Sequence, residues 1–433
     1  MKRTFRSFPV TDFLYTKQQM LSWADQFNIC CFLDDHGYHM PGHVYECILA
    51  VGATHTIQTS FGTAYQQLNN FLKHNQDWCF GHLGYDLKNE TEELVSNNPD
   101  YIGFPDLFFF IPETIVILKR QELLIGVHNE THQHTVDEIN HYTIPSYQNH
   151  TPIEIKSRFS KSDYVETVGK IKQHIVRGDC YELNFCQEFY NDNAIVSPLQ
   201  LYRALSKESP NPFSGYYKHN QKYLLCASPE RYVKKAGKHI ISQPIKGTVK
   251  RNNVNEKQDL LNRNSLINSA KDRSENVMIV DLVRNDLSKI CEEGTVKVDE
   301  LFGVYTFPQV YQMISTISGK LKEEIGITDI FKATFPMGSM TGAPKKKVME
   351  LIETFEKTRR GLFSGAIGYI TPEGDLDFNV IIRSILYNSQ AKYLSFQTGS
   401  AITYNSDADS EYEECLLKAE AIKKVLQHNQ STL

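Results

Sequence analysis

Six residues, Gln243-Pro244-Ile245-Lys246-Gly247-Thr248, constrain this chain more than any others. Pro244 locks its own φ and withholds an N–H, so no helix runs through the stretch. Gly247 opens backbone conformations, and a closeness of approach to a ligand, that a Cβ would forbid. Between them stands one amine, followed by two backbone N–H groups and a hydroxyl. A lysine placed like this reads in two ways. It is a solvated charge in a turn, as most lysines are. Or it is a nucleophile beside a backbone anion nest, its amine made neutral by desolvation. The hexapeptide is compatible with both, and the rest of the chain has to choose.

Upstream, residues 1–150 read as an N-terminal region of short strands and a few helices. Tyr45–Ala53 is a strand and Ala64–Phe71 a helix, while Leu107–Ile111 and Thr114–Leu118 are apolar runs on either side of Pro112. Unbroken runs of this kind predict strands buried on both faces. Nothing in the region carries a chemical signature, and the histidines between 128 and 150 lie in a polar stretch that reads as linker. The net charge of -5 argues against a nucleic-acid partner. No apolar run reaches membrane-spanning length, and no signal peptide is recognisable at the start. Nine scattered cysteines without a C-x-x-C predict reduced thiols and a cytoplasmic protein.

Residues 151–433 read differently. Ser160 or Ser162 caps a helix with Val165, Val168, Ile171 and Ile175 on one face, ended by Gly178. A strand over 224–227 delivers Ser228-Pro229-Glu230-Arg231, and a second, ending near Ser242, delivers the lysine. Glu230 and Lys246 are therefore expected in loops at one edge. The stretch 268–283 is apolar enough to be a largely buried helix around Glu275, whose carboxylate wants a partner. Pro344 after Gly338-Ser339-Met340-Thr341-Gly342 marks the first position of another helix, whose N-terminus suits an anion. Gly365–Ile370 and Phe378–Ile385 form a hairpin, with Arg383 as a buried guanidinium inside the second strand. Ser410-Glu411-Tyr412-Glu413 is a capping box on a final helix, where Glu414 and Lys418 sit one turn apart.

Taken in order, Gly178–Asn184, Ser228–Arg231, Pro244–Thr248, Asp272–Asp286, Gly338–Lys345, Gly365–Tyr369, Ile382-Arg383 and Ser410–Lys418 resemble the motifs of the chorismate-utilising enzymes. The resemblance covers roughly Phe159 to Val425, with Cys31–Asp34 and Gly81–Asp86 as fainter matches upstream. It implies an α+β fold like that of anthranilate synthase component I. Two antiparallel sheets pack around a central cleft with helices outside, N- and C-terminal segments interleaved. Anthranilate-forming members carry alanine where this chain has Lys246, and water-adding members carry a lysine where it has Glu182. The branch implied is the one that aminates chorismate to 4-amino-4-deoxychorismate, toward para-aminobenzoate and folate. The alternatives are an anthranilate-forming enzyme, or a silent subunit that binds chorismate or tryptophan.

The resemblance also implies roles. Mg²⁺ is held by Glu275 and Glu414, with Glu411 as a water-mediated helper. Glu230 protonates the departing 4-hydroxyl, Lys246 adds at C2 to form a covalent intermediate, and ammonia then attacks C4 and expels the lysine. Arg383 and Tyr369 hold the enolpyruvyl carboxylate. Thr248 and the N–H groups of Gly247, Gly399 and Ala401 cradle the ring carboxylate, and Thr341 and Lys418 complete the pocket. No glutaminase motif is present, so a separate glutamine amidotransferase subunit is expected to deliver ammonia. Three positions depart from the family pattern: Ser400 in a glycine-rich strand end, Gln312 where histidine is common, and Glu182 where glutamine is frequent.

Overall fold

The apolar runs of the N-terminal region end up where unbroken runs must, inside sheets covered on both faces. A computed structural model describes residues 2–38, 45–145, 152–307 and 309–427. Its strands form two sheets, one of 12 and one of 10 strands, and every pairing among the described residues is antiparallel. Leu107–Ile111 and Cys47–Val51 are buried along their whole length. Along Cys47–Val51 the side chains alternate between two cores. Ile48 and Ala50 join the cluster between the sheets, whereas Cys47, Leu49 and Val51 join a second cluster under the helices. A strand with two apolar faces has no room for a polar alternation, which is why these runs read as continuous.

The N- and C-terminal segments share both sheets. In the larger sheet, Ile29–Asp34 pairs with Phe213–His219. In the smaller, Cys79–Leu83 pairs with Ala366–Ile370. Strand pairing therefore crosses the boundary near residue 150 in both sheets. The helix Lys161–Val176 is capped by Ser160, whose side chain and that of Asp163 satisfy each other's backbone N–H.

Several local expectations are corrected. His132–His141 is a helix rather than linker, because Val136 and Ile139 have an apolar face to bury; residues 146–150 of that stretch lie outside the described residues. Pro344 precedes its helix in extended conformation, and Lys345 is the first helical residue. Ser410 lies inside the final helix, Ala408–Gln427, and Asp407 accepts from the Ser410 N–H in the capping role. The hairpin strand of 378–385 is really two. Leu376–Val380 belongs to the smaller sheet and Ser384–Asn388 to the larger, and the chain crosses between them at Arg383, with φ of 52°. A buried arginine in a continuous strand and an arginine at a sheet crossing look alike in sequence. Only the second holds a non-glycine residue in the left-handed region, which costs energy and recurs at ligand sites.

Candidate active site

Lys246 lies within the strand Ile245–Lys250 and not in a loop. Its register against Val310–Lys320 slips: Ile245 faces Ile314, but Thr248 faces Gln312. One extra residue is thus bulged out at Lys246-Gly247, which re-aims the lysine out of the regular pleat. Gly247 makes the bulge possible. Its φ is +89°, and a Cβ there would come within 3.0 Å of Asp272 and 2.9 Å of Leu266.

The re-aimed amine meets Glu182. Nζ donates to Oε1 at 2.9 Å, and the two side chains are 11% and 1% exposed. Glu182 opens the strand Glu182–Asn191 of the larger sheet, whereas Lys246 belongs to the smaller, so the pair spans the two sheets. Burial pulls the lysine's pKa down, but Glu182, Glu275 and Glu230 outweigh it and hold the proton more tightly than usual. The expectation of an amine neutralised by desolvation is overturned here. Desolvation favours the neutral form only where no carboxylate shares the burial.

Glu230 sits, as expected, in the short connection between Lys222–Ser228 and Arg231–Ala236, and is 4% exposed. Burial raises its carboxyl to about 7, against the opposing pull of Ser339, Lys246 and the Ile245 amide. A carboxyl that titrates near neutrality can hold a proton for delivery. Glu275 is 7% exposed on the helix Ala270–Ser288. Burial first, and the like charges of Glu182 and Glu414, raise it to about 7 despite Lys246 and Lys271. Glu414 goes the other way: burial would raise it, but Lys418, Lys271 and Lys246 hold it at about 2.

Around these carboxylates stands a cation that the sequence reading missed. Lys271 Nζ lies 2.9 Å from Glu411, 3.5 Å from Glu414 and 3.9 Å from Glu275. Its i,i+4 spacing from Glu275 was the available signal. Glu275 Oε1 and Glu411 Oε2 are buried with no hydrogen-bond partner among the described residues. Buried carboxylate oxygens of this kind suit a hard cation. The carboxylates do not, however, close into a metal-ligand group among the described residues, and Lys271, 47% exposed, holds the space between them. Oxygen donors of this kind are what a divalent ion would take, and the Lys271 ammonium now stands among them.

The anion-binding edge is backbone. Asn184 N–H donates to Thr341 O, and Cys186 N–H to Glu356. Neither therefore faces the adjoining strand Tyr393–Ile402, and their partners Ala401 and Gly399 turn their N–H groups to its other edge. That edge is open, because the pairing with Ser384–Asn388 ends at Ser395. Lys418 donates to Gly399 O at 2.9 Å and pairs with Glu414 at 2.7 Å. Gly399 also lets the strands touch; a Cβ would stand 2.0 Å from Phe185 O. Arg383 makes no hydrogen bond or ion pair among the described residues, and burial depresses its pKa against the attraction of Glu414. An unpaired guanidinium is ready for a carboxylate. Thr248 is exposed on the lysine strand.

Two expected members stand apart. Thr341 is fully buried, its hydroxyl turned back on the carbonyls of Met337 and Gly338 in its own loop. Tyr369 pairs in register with Asp377, six residues before Arg383 and in another sheet from the strand after it. Its ring packs against Trp78, Phe80 and Tyr45 at 5.7–5.9 Å. There it lines an open pocket with Asp34, Asp35 and Phe213. The ring contacts of Tyr369 are thus with this aromatic group, although motif order placed it with Arg383. Also missed were Glu356 and Arg360, which tie the Met340 loop to Asn184 and Cys186.

Known proteins resemble this chain in sequence and in fold. A family model described as chorismate binding enzyme matches residues 31–424. Aminodeoxychorismate synthase component 1 of Bacillus subtilis is 32% identical over 382 residues, covering 85% of this chain and 80% of that protein. Anthranilate synthase component 1 of Saccharolobus solfataricus is 31% identical, covering 80% of each chain. The crystal structure of anthranilate synthase component I from Streptococcus pneumoniae superposes with a TM-score of 0.78 at 24% identity, over 90% of this chain and 94% of that one.

Proposed function

The chain belongs to the chorismate-binding enzyme family, and from that premise we propose that it aminates chorismate to 4-amino-4-deoxychorismate on the way to para-aminobenzoate. One observation carries the choice of product: the amine of Lys246, bulged out of its strand and facing Glu182, with Glu230 in the adjacent connection. The anthranilate-forming alternative, with alanine at that position, has no use for such a lysine.

The roles follow from the groups. The ring carboxylate lies against the free N–H edge of Gly399 and Ala401, with Thr248 and Gly247 nearby, and Arg383 takes the enolpyruvyl carboxylate. Mg²⁺, held by Glu275 and Glu414 with Glu411 behind them, supplies charge neutralisation at the ring carboxylate when bound. Glu230, protonated near neutrality, gives its proton to the departing 4-hydroxyl. The Lys246 amine adds at C2, and ammonia then displaces it by attack at C4. Lys418 anchors Glu414 and the Gly399 carbonyl. Thr341 acts through its loop and not through its hydroxyl, and Tyr369 has no part in this reading.

Ammonia is assigned to a separate glutamine amidotransferase subunit, consistent with relatives named as a component 1. The enzyme is assigned to the cytoplasm. All nine cysteines are free and buried, and no helix among the described residues is long and apolar enough to cross a membrane. The deciding experiment is chromatography of products after incubation with chorismate, Mg²⁺ and ammonia. Accumulation of 4-amino-4-deoxychorismate is expected; anthranilate as the main product would overturn the assignment.

A further inference from the structure

Glu182 is a buried carboxylate that the reaction above leaves without a task. It is clamped in place. Its strand pairs with Gly342-Ala343, so closely that a Cβ on Gly342 would lie 2.1 Å from the Glu182 carbonyl. Oε1 accepts from Lys246 at 2.9 Å, and Oε2 is buried with no hydrogen-bond partner among the described residues. A mere strut between two sheets would have both oxygens satisfied, because an unpaired buried acceptor is costly.

We propose that Glu182 is the proton acceptor for Lys246, taking the ammonium proton when the amine attacks and returning it when the lysine is expelled. The inference rests on Lys246 being the nucleophile. The steps balance. The proton passes from Nζ to the Glu182 carboxylate, leaving a lone pair on nitrogen. That pair forms the N–C2 bond, the ring double bond shifts, and the C4–O bond breaks, with the oxygen leaving as water on the proton of Glu230. Ammonia then forms the C4–N bond, the double bond shifts back, and the N–C2 pair returns to lysine as a free amine. The new C4 ammonium gives a proton back to Glu230, and Glu182 gives its proton back to Lys246. The sum is chorismate plus ammonia giving the amino product plus water, with every protein group restored.

The surroundings explain why an acceptor is needed. Charged groups reach Lys246 from several elements: Glu182 from the larger sheet, Glu230 from the 228–231 connection, Glu275 from the helix Ala270–Ser288 and Glu414 from the helix Ala408–Gln427. Together they keep the amine protonated, and a protonated amine is no nucleophile. Glu230 carries no charge while it holds the proton its own role requires. Of the remaining three, Glu182 is the one hydrogen-bonded to Nζ among the described residues, so it offers the path for the proton.

The test is the pH profile of amination in Glu182→Gln, with Glu182→Asp beside it and thermal unfolding to show that both fold. In the wild type the transfer is internal, so it adds no pH dependence. In Glu182→Gln the lysine must lose its proton to solvent. The rate at pH 7 is expected to fall about 10²-fold, and the ratio of variant to wild type to climb about tenfold per pH unit until the Lys246 pKa is passed. Glu182→Asp should recover part of the loss. A glutamine variant with the wild-type profile, or with a uniform loss at every pH, overturns the proposal. Mass spectrometry of protein incubated with chorismate without ammonia separates the underlying reading. If no adduct appears on Lys246 in the wild type, lysine catalysis itself falls. If the adduct forms equally fast in Glu182→Gln, only the role of Glu182 falls.

Discussion

Two buried ion pairs lie close to the cleft, and they are built differently. In the first, Arg360 grips Glu356 through two contacts of 3.0 and 2.6 Å and gives its other N–H groups to the carbonyls of Met340 and Asn184. Glu356 in turn accepts from the Cys186 N–H at 2.9 Å. The second, Lys246 with Glu182, has a single hydrogen bond and leaves a carboxylate oxygen unpartnered among the described residues. A pair with every polar atom answered holds a fold together. A pair with an acceptor to spare is set up to exchange something. Burial and charge are common to both, so the satisfaction of the remaining atoms is what tells structure from chemistry.

The sharpest way to break this contrast is to remove both members of the second pair. Lys246→Met with Glu182→Gln should lower amination by about 10⁴-fold or more, the upper end of what one positioned group contributes. Folding stability should stay within about 1 kcal/mol, since replacing a whole buried pair is often neutral. Denaturant unfolding alongside product assay decides it: a large loss of stability would make the pair structural. Arg360→Met should do the reverse. It strands the Glu356 charge and two carbonyls, and a broken buried pair costs about 3–5 kcal/mol. If Arg360→Met unfolds at the same denaturant concentration as the wild type, the first pair is not the brace described here.

Glu230 tests the charged side of the cleft more finely. Glu230→Gln should bind chorismate but turn over about 10²–10³-fold more slowly. In the wild type, kcat/KM should fall as pH rises through about 7, where Glu230 loses its proton, and the variant should lack that limb. Stability carries the same signature. A carboxyl raised from its ordinary value to about 7 contributes stability that is present at low pH and lost as pH climbs from about 4.5 through 7. Removing it should flatten that decline by on the order of 2–3 kcal/mol, leaving the part due to Glu275. An unchanged unfolding profile between pH 4 and 8 would show that Glu230 is not desolvated in solution.

The smallest effect concerns Lys271. Its ammonium competes for the carboxylates assigned to the metal, so Lys271→Met should tighten Mn²⁺ or Mg²⁺ binding, measured by calorimetry, by roughly tenfold. Three partly exposed ion pairs of about 0.2–1 kcal/mol each set that scale. Glu275→Gln should abolish the same binding. Weaker binding in Lys271→Met would mean that the lysine gathers the carboxylates and does not compete with a cation.

Much of this site was legible before any coordinates. Glu230 stands at a strand end because Ser228-Pro229 stops the strand, and a proline cannot be misread. The helix around Glu275 and the i,i+4 pair of Glu414 and Lys418 follow from a 3.6-residue period that needs no tertiary context. Where reading failed, it failed at positions defined by contacts distant in sequence. Tyr369 and Arg383 fall in adjacent motifs, yet the chain changes sheets between them. The Thr341 hydroxyl looked available and is spent on its own loop. Lys271 went unread because Glu411 and Glu414 come from a helix about 140 residues away.

By itself the sequence determined many of the secondary elements, the continuous buried strands and the identity of the reactive groups, because periodicity, proline, glycine and side-chain chemistry are local properties. The protonation state of those groups was decided only by the tertiary structure. Lys246 is charged and not neutral because the strand Glu182–Asn191 of the other sheet brings a carboxylate to 2.9 Å. Glu230 and Glu275 titrate near neutrality because burial outweighs their partners, while Glu414, ringed by lysines, stays ionised. A pKa is the balance between desolvation and the charges that share it, and both terms exist only once distant segments are packed against each other.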